Sequence, residues 1–200
     1  VVEIMKAAVK FNVVIIPYGG GTSVSGALEC PENEKRMIVS LDMQRMNKIL
    51  WVDRENMMAC IEAGAIGQDI ADKLEKVGLT MGHHPDSEEF SSIGGWVSTR
   101  ASGMKKNVYG NIEDIVVNFK LVTPTGILQT GGDFPRISAG PAVMQMAMGA
   151  EGTLGVVTEV LVRLRAKPVT QKYSSVVFAD FTHGVMAMRE VARRRCAPAS

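Results

Sequence analysis

Three stretches rich in glycine or hydroxyl side chains hold most of the residues in this chain that could do chemistry. The first, Pro17-Tyr18-Gly19-Gly20-Gly21-Thr22-Ser23, follows the β-branched run Val13-Val14-Ile15-Ile16. Consecutive glycines let main-chain N–H groups close on a phosphate without a Cβ in the way, so a diphosphate cradle and a tight turn are both open readings. The run matches neither the dinucleotide G-x-G-x-x-G, because Val24 stands where the last glycine belongs, nor a Walker loop, because no lysine follows. The second stretch, Gly149-Ala150-Glu151-Gly152-Thr153-Leu154-Gly155, again enters an apolar run and reads as a ligand-facing turn or as a bend with a bulge. Two such turns in one chain suit a large, extended ligand better than either does alone.

The third stretch runs from His83-His84-Pro85 through Asp86-Ser87-Glu88-Glu89-Phe90-Ser91-Ser92-Ile93-Gly94-Gly95 to Thr99-Arg100-Ala101-Ser102-Gly103. Adjacent histidines point apart on most backbones, and no H-x-x-x-H or H-E-x-x-H spacing occurs, so no metal site is assigned. The small hydroxyl residues beside Gly94-Gly95 fit better as donors to carbonyls or phosphates of a bound cofactor. Nucleophilic catalysis has little support. There is no G-x-S-x-G elbow, His183 lies in a helix start, and the apolar-flanked Cys60 reads as a packed thiol. No catalytic residue is assigned within the chain. The Arg193-Arg194-Arg195 run and the Lys105-Lys106 pair read as solvated surface, and the 13 methionines as core filler.

These residues need elements to hold them. Ile4, Ala8 and Phe11 fall at helical spacing ahead of the strand at 13–16. Short apolar runs at 37–41, 49–53 and 57–63, separated by turns such as Asp53-Arg54-Glu55-Asn56, predict neighbouring strands. From Gly67 to Val77, Ile70, Leu74 and Val77 share one face, with Asp69 and Asp72 early, Lys73 and Lys76 late, and Gly78 placed for a left-handed cap. Strands are expected at 115–122, closed by Pro124-Thr125-Gly126, at 156–164 and at 175–178. A final amphipathic helix from Thr182 turns Val185, Met188 and Val191 or Ala192 inward. The fold class is α+β, with one larger subdomain and a smaller sheet over 114–165. No alternating Rossmann pattern is evident.

Composition excludes several classes. With 46% apolar residues the chain buries a real core, which argues against disorder. Twenty-two Lys+Arg against 21 Asp+Glu leave a net charge of +1, too weak a field for a nucleic-acid binder. Cys30, Cys60 and Cys196 are odd in number and lack C-x-x-C spacing, so they read as reduced, intracellular thiols. No run approaches the roughly 18 apolar residues of a membrane span.

The ordered set Pro17 to Ser23, Pro85 to Ser91, Ser98-Thr99-Arg100-Ala101-Ser102-Gly103 and Glu151 to Gly155 closely resembles flavoproteins of the vanillyl-alcohol oxidase type. Three further runs narrow the resemblance to the alkylglycerone-phosphate synthase family. They are Gly82 to Ser87, the long run Gly94 to Asp114, and Arg195-Cys196-Ala197-Pro198-Ala199-Ser200. The resemblance spans the whole chain. It implies a PCMH-type FAD-binding domain over 1–200, made of two α+β subdomains, with its first strand upstream and the catalytic cap domain after Ser200. FAD would lie between the subdomains, held non-covalently. The implied contacts are Pro17, Tyr18, Gly19, Gly20, Gly21, Thr22 and Ser23 at the diphosphate; Asp86, Ser87, Glu88, Glu89, Phe90, Ser91 and Ser92; Thr99, Arg100, Ala101 and Ser102; and Glu151, Gly152, Thr153, Leu154, Gly155, Val156 and Val157.

The resemblance further implies that the parent exchanges the acyl group of acyl-dihydroxyacetone phosphate for a fatty alcohol in ether-lipid synthesis, without net redox, and that this chain alone is inactive. It implies a peroxisomal parent whose targeting signal lies outside these residues, and it leaves room for peripheral membrane association and a homodimer. The nearest rival is an FAD-dependent D-2-hydroxyacid dehydrogenase of lactate type, which shares the G-G-G-T turn. A non-catalytic nucleotide-binding module is a further alternative. A purely structural domain would leave both glycine turns unexplained.

Overall fold

The structure, a computed structural model, describes residues 1–129 and 131–196. Ala197, Pro198, Ala199 and Ser200, which close the last of the resemblance runs, lie outside the described residues. Helix α1 (Val2–Phe11) buries Met5 and Ala8, one turn apart, and ends where Asn12 turns left-handed and returns its N–H to Ala8 O and Val9 O. Strand β1 (Val14–Tyr18) then pairs in parallel with β2 (Ile38–Asp42), Tyr18 facing Asp42, as a separate two-stranded sheet. The expectation that 37–41 neighbours the next two strands is therefore corrected. A strand's two-residue period marks its faces but not its partner, and here the long connection from β1 returns β2 beside it.

Strands β3 (Ile49–Asp53) and β4 (Met58–Glu62) form an antiparallel pair and lead into α2 (Gly67–Glu75). Ile70 and Leu74 of α2 are buried, and Gly78 takes a positive φ just beyond it, as the sequence predicts. After β5 (Leu79–Thr80) come three short helices, α3 (Ile93–Thr99), α4 (Lys106–Tyr109) and α5 (Ile112–Ile115). Strand β6 (Val116–Thr123) turns back into β7 (Gly126–Leu128), and α6 (Val143–Ala147), β8 (Val156–Arg163), β9 (Arg165–Ala166) and α7 (Phe181–Arg193) complete the order.

Strand β8 lies at the centre of the five-stranded sheet β3-β4-β8-β6-β7, antiparallel to both neighbours. The smaller sheet expected over 114–165 is thus part of one larger sheet that also takes in β3 and β4. Its two faces are distinct, although register shifts interrupt β3 and β6. Ala59, Ile61, Phe119, Val160 and Val162 join one core with Ile70 and Leu74 of α2 and Ile93, Trp96 and Val97 of α3. Met58, Cys60 and Leu161 cover the opposite face with Trp51 and Val117. Burial pushes the Cys60 thiol up to about 11, helped by the nearby Glu159 and Asp133 charges, as befits a packed thiol rather than a nucleophile.

Three further sequence expectations fail. Residues 175–178 form no strand. Helix α7 buries nothing among the described residues, Val185 and Met188 being about half exposed, because amphipathic spacing creates a face without supplying its cover. Of the methionines, Met5, Met43, Met58, Met81, Met144 and Met148 are core, whereas Met37, Met104, Met146, Met186 and Met188 are exposed. Among the described residues no helix is long and apolar enough to cross a membrane.

Candidate FAD-binding cleft

A cleft of about 530 Å³ opens between the two-stranded and five-stranded sheets and gathers residues from all three sequence stretches. Its floor is the glycine turn that follows β1. A Cβ built on Gly20 would collide with the Phe90 carbonyl, and one on Gly19 with the Ser92 hydroxyl, so the first stretch can sit on the third only as glycine. The second stretch packs on the first in the same way. Gly152 has φ 85°, and a Cβ there would stand 3.0 Å from Pro17 Cδ. Across this junction Ser25 Oγ donates to Glu151 Oε1 at 2.8 Å, with Glu151 itself in the left-handed region at φ 46°.

The third stretch builds the facing wall through α3. Ser92 caps the helix by accepting from Gly95 N, and Gly94 packs against Ala63 on β4's extension, where a Cβ would come within 2.8 Å of Ala63 O and Cβ. Trp96 Nε1 donates to Ser91 Oγ at 2.7 Å. Ser98 Oγ and Thr99 Oγ1 donate back to Gly94 O and Gly95 O at 2.8 and 3.0 Å, and Ser102 Oγ donates to Asn111 Oδ1 at 2.8 Å. Behind the wall His83 is buried edge-on to Trp96, with ring centroids 5.1 Å apart. Burial pushes its imidazole down to about 4, against which the neighbouring Glu88 carboxylate pulls upward. His84 Nδ1 bonds Glu88 Oε2 at 2.8 Å, so the two histidines do point to different partners.

Of the sequence-predicted residues, Pro17 to Ser23, Asp86, Ser91, Ser92, Thr99, Ala101, Ser102, Glu151, Gly152, Gly155 and Val157 line the cleft. The others do not, each for a local reason. Ser87 adopts φ 55° and its carbonyl accepts from Phe90 N and Ser91 N, making it the pivot of a turn. Glu88 is taken by His84, while Glu89 and Phe90 face solvent. Arg100 ends α3 in a left-handed conformation and points toward Glu113, 3.9 Å away. Thr153 Oγ1 closes its own turn on Ala150 O, Leu154 is half exposed, and Val156 is buried in the core.

The cleft also takes in residues that the sequence reading left out of the site. Val24, Ser25, Ala27 and Leu28 come from the connection after the glycine turn, Met43 and Ala63 from beyond β2 and β4, and Pro85, Gly94, Gly95, Trp96 and Ser98 from the third stretch. The last five were within reach, since they sit inside the marked motif. Met43 and Ala63 carry no chemical signal. A second hollow, of about 610 Å³ beside α7, is walled by Val176, Phe178, Phe181, Val185 and Met188 and has Asp180 as its one charged side chain.

The site fits FAD in size and chemistry. A cleft of this volume is in the range that holds a cofactor. Among the described lining residues there is no lysine or arginine, and the carboxylates are Asp86 and Glu151. A diphosphate would therefore be held by backbone N–H groups and neutral hydroxyls, the donors that a glycine turn exposes. The glycine packing that a Cβ would block is the observation that makes this cradle possible.

Residues 1–132 match the family described as FAD binding domain. The chain is 53% identical to the alkyldihydroxyacetonephosphate synthase of Caenorhabditis elegans over 200 residues, all of this chain and 34% of that protein. It is 44% identical to the synthase of the same name from Dictyostelium discoideum, over 94% of this chain and 31% of that protein. A solved structure of an alkyldihydroxyacetonephosphate synthase superposes with a TM-score of 0.88 at 44% identity, covering 96% of this chain and 34% of that one. The chain thus spans about a third of the length of the relatives it matches.

Proposed function

Because this chain belongs to the FAD-binding domain family and its cofactor is FAD, we propose that it is the cofactor-holding portion of an alkyldihydroxyacetonephosphate synthase. One observation carries the reading: the relative of that name from Caenorhabditis elegans aligns over the full length of the chain, and so over all three stretches that meet at the cleft. The substrates would be acyl-dihydroxyacetone phosphate and a fatty alcohol, and the products the alkyl ether and a free fatty acid. The chemistry that FAD supplies when bound is electrophilic, since exchanging acyl for alkyl leaves the oxidation state of the three-carbon unit unchanged.

In this reading the chain binds, orients and shields. Gly19, Gly20 and Gly21 present main-chain N–H groups to the diphosphate, and Ser91 and Ser92 add hydroxyl donors from the facing wall. Ala27 and Leu28, both half-buried, present apolar surface along one side of the cleft. The exchange also needs a base at C1 of the substrate. We propose that this base and the lipid-binding surface belong to the parts of the relatives that this chain does not span. From the resemblance we propose a peroxisomal parent, with room for peripheral membrane association and a homodimer.

The test starts with the visible spectrum of the chain after loading with FAD and removing the excess, repeated after denaturation. A bound flavin that is released on unfolding is the expected result. The full-length protein should then incorporate labelled fatty alcohol into an ether-linked dihydroxyacetone phosphate without bleaching of its flavin. Bleaching by a 2-hydroxy acid, with electrons passed to an acceptor, would replace the synthase by a dehydrogenase. Imaging of the tagged full-length protein tests the compartment, and its sedimentation tests the dimer and the membrane attachment.

A further inference from the structure

The hydroxyl groups along the cleft are committed in two opposite senses. Ser91 Oγ accepts from Trp96 Nε1 at 2.7 Å and Ser92 Oγ accepts from Gly95 N at 3.3 Å. Both residues are buried, 5% and 3% exposed, and both line the cleft. A hydroxyl has one proton, and among the described residues no acceptor takes the proton of either. What Ser91 and Ser92 have left to offer is therefore their proton, beside one remaining lone pair each.

Ser98, Thr99 and Ser102 are the reverse. Their protons go to Gly94 O, Gly95 O and Asn111 Oδ1. With their protons spent on the protein, these three hydroxyls present only lone pairs to whatever lies in the cleft.

The two sets are separated in space. Ser92 sits against Gly19, beside the glycine turn, whereas Thr99 lies at the far end of α3, about 10 Å further along at the helical rise. FAD has matching parts. Its diphosphate only accepts hydrogen bonds, and each of its ring systems carries an N–H edge, at N3 of the flavin and at N6 of the adenine.

We propose that Ser98, Thr99 and Ser102 form an acceptor row that selects an N–H edge of one FAD ring system, while Ser91 and Ser92 give their protons to the diphosphate. The sense of the protein's own hydrogen bonds then decides which way round the cofactor lies. This rests on the cleft holding FAD, as proposed above.

The experiment titrates the full-length protein and its Ser98→Ala/Thr99→Val variant with three ligands, followed by flavin fluorescence. They are FAD, FAD methylated at flavin N3, and FAD bearing N6,N6-dimethyladenine. The variant should bind FAD roughly tenfold more weakly, the loss of one or two net hydrogen bonds. For one methylated ligand, wild type and variant should bind alike, because methylation has already removed the bond. N3-methyl FAD behaving so identifies the flavin edge, and the dimethyladenine form identifies the adenine edge. Unchanged FAD affinity, or the same tenfold loss with both methylated ligands, overturns the row. Failure of the wild-type protein to bind FAD at all instead overturns the cofactor reading beneath it. Ser102→Ala lies outside α3 and gives the same comparison should the helix variant fail to fold. At the other end, Ser92→Ala should weaken FAD and ADP several-fold and leave riboflavin, which has no phosphate, unaffected; equal losses for all three overturn the donor assignment.

Discussion

Ser25 Oγ donates a 2.8 Å hydrogen bond to Glu151 Oε1, joining positions 126 apart in the chain. The bond ties the connection after the first glycine turn to the second glycine turn, and both residues line the cleft. Glu151 holds a backbone conformation with φ 46° that non-glycine residues adopt at some cost, so the surrounding packing keeps it there.

Removing this tie should change cofactor kinetics more than fold stability. Ser25→Ala is expected to raise the FAD dissociation rate several-fold while shifting the thermal midpoint by little, since exposed hydrogen bonds contribute about 1 kcal/mol or less. Stopped-flow displacement of FAD measures the first and calorimetry the second. An unchanged dissociation rate would leave the bond without a part in retention.

Gly20→Val should abolish FAD retention. The new side chain would meet the Phe90 carbonyl rather than open cleft, so the damage comes from parting the glycine turn from the facing wall. Flavin absorbance after gel filtration reads retention, and far-ultraviolet circular dichroism shows whether the rest of the domain survives. Full flavin content in the variant would sink the packing argument.

His83 makes stability depend on pH. Its imidazole ordinarily titrates near 6.5 and burial lowers it to about 4, so between those values the unfolded chain binds a proton that the folded chain does not. This contribution is fully present above about pH 6.5 and is lost as the pH falls toward 4, on the order of 3 kcal/mol in all. Urea midpoints for wild type and His83→Leu, taken from pH 7 to pH 4.5, should shift against each other, the wild type losing stability relative to the variant as the pH falls, because leucine has no proton to bind. Parallel curves would show that His83 is not the group responsible.

Phe119 is 2% exposed in the core of β6, and Phe119→Ala should cost about 3–5 kcal/mol of unfolding free energy. By contrast Lys120 and Glu159, paired across β6 and β8, are each partly solvated, and Glu159→Gln should cost no more than about 1 kcal/mol, less at high salt. Denaturant titration of both variants at two ionic strengths separates the apolar from the electrostatic contribution.

What could be read from the sequence was local. The glycine turns at 19–21 and 152–155 announce themselves because the need for a missing Cβ is a property of one residue and its backbone. Helix α2 was legible from the spacing of Ile70 and Leu74 and from Gly78, since its hydrogen bonds close within four residues. The motifs from 85 to 103 and from 151 to 157 marked the cleft, although Ser87 pivots its own turn, Glu88 is taken by His84 and Arg100 points toward Glu113.

The tertiary structure decided everything that depends on partners distant in the chain. A strand's alternation does not name its neighbour, so only the folded chain placed β2 beside β1 and β8 between β4 and β6. Met43 and Ala63 reached the cleft by that same pairing, without chemistry of their own to signal it. The amphipathic face of α7 was legible, but its cover was not, because periodicity records a need for burial and not what meets it. Likewise the serines and threonine between 91 and 102 looked alike in sequence. Which of them donate and which accept depends on the hydrogen bonds each hydroxyl has already made, and those exist only once Trp96, Gly94 and Asn111 are in place.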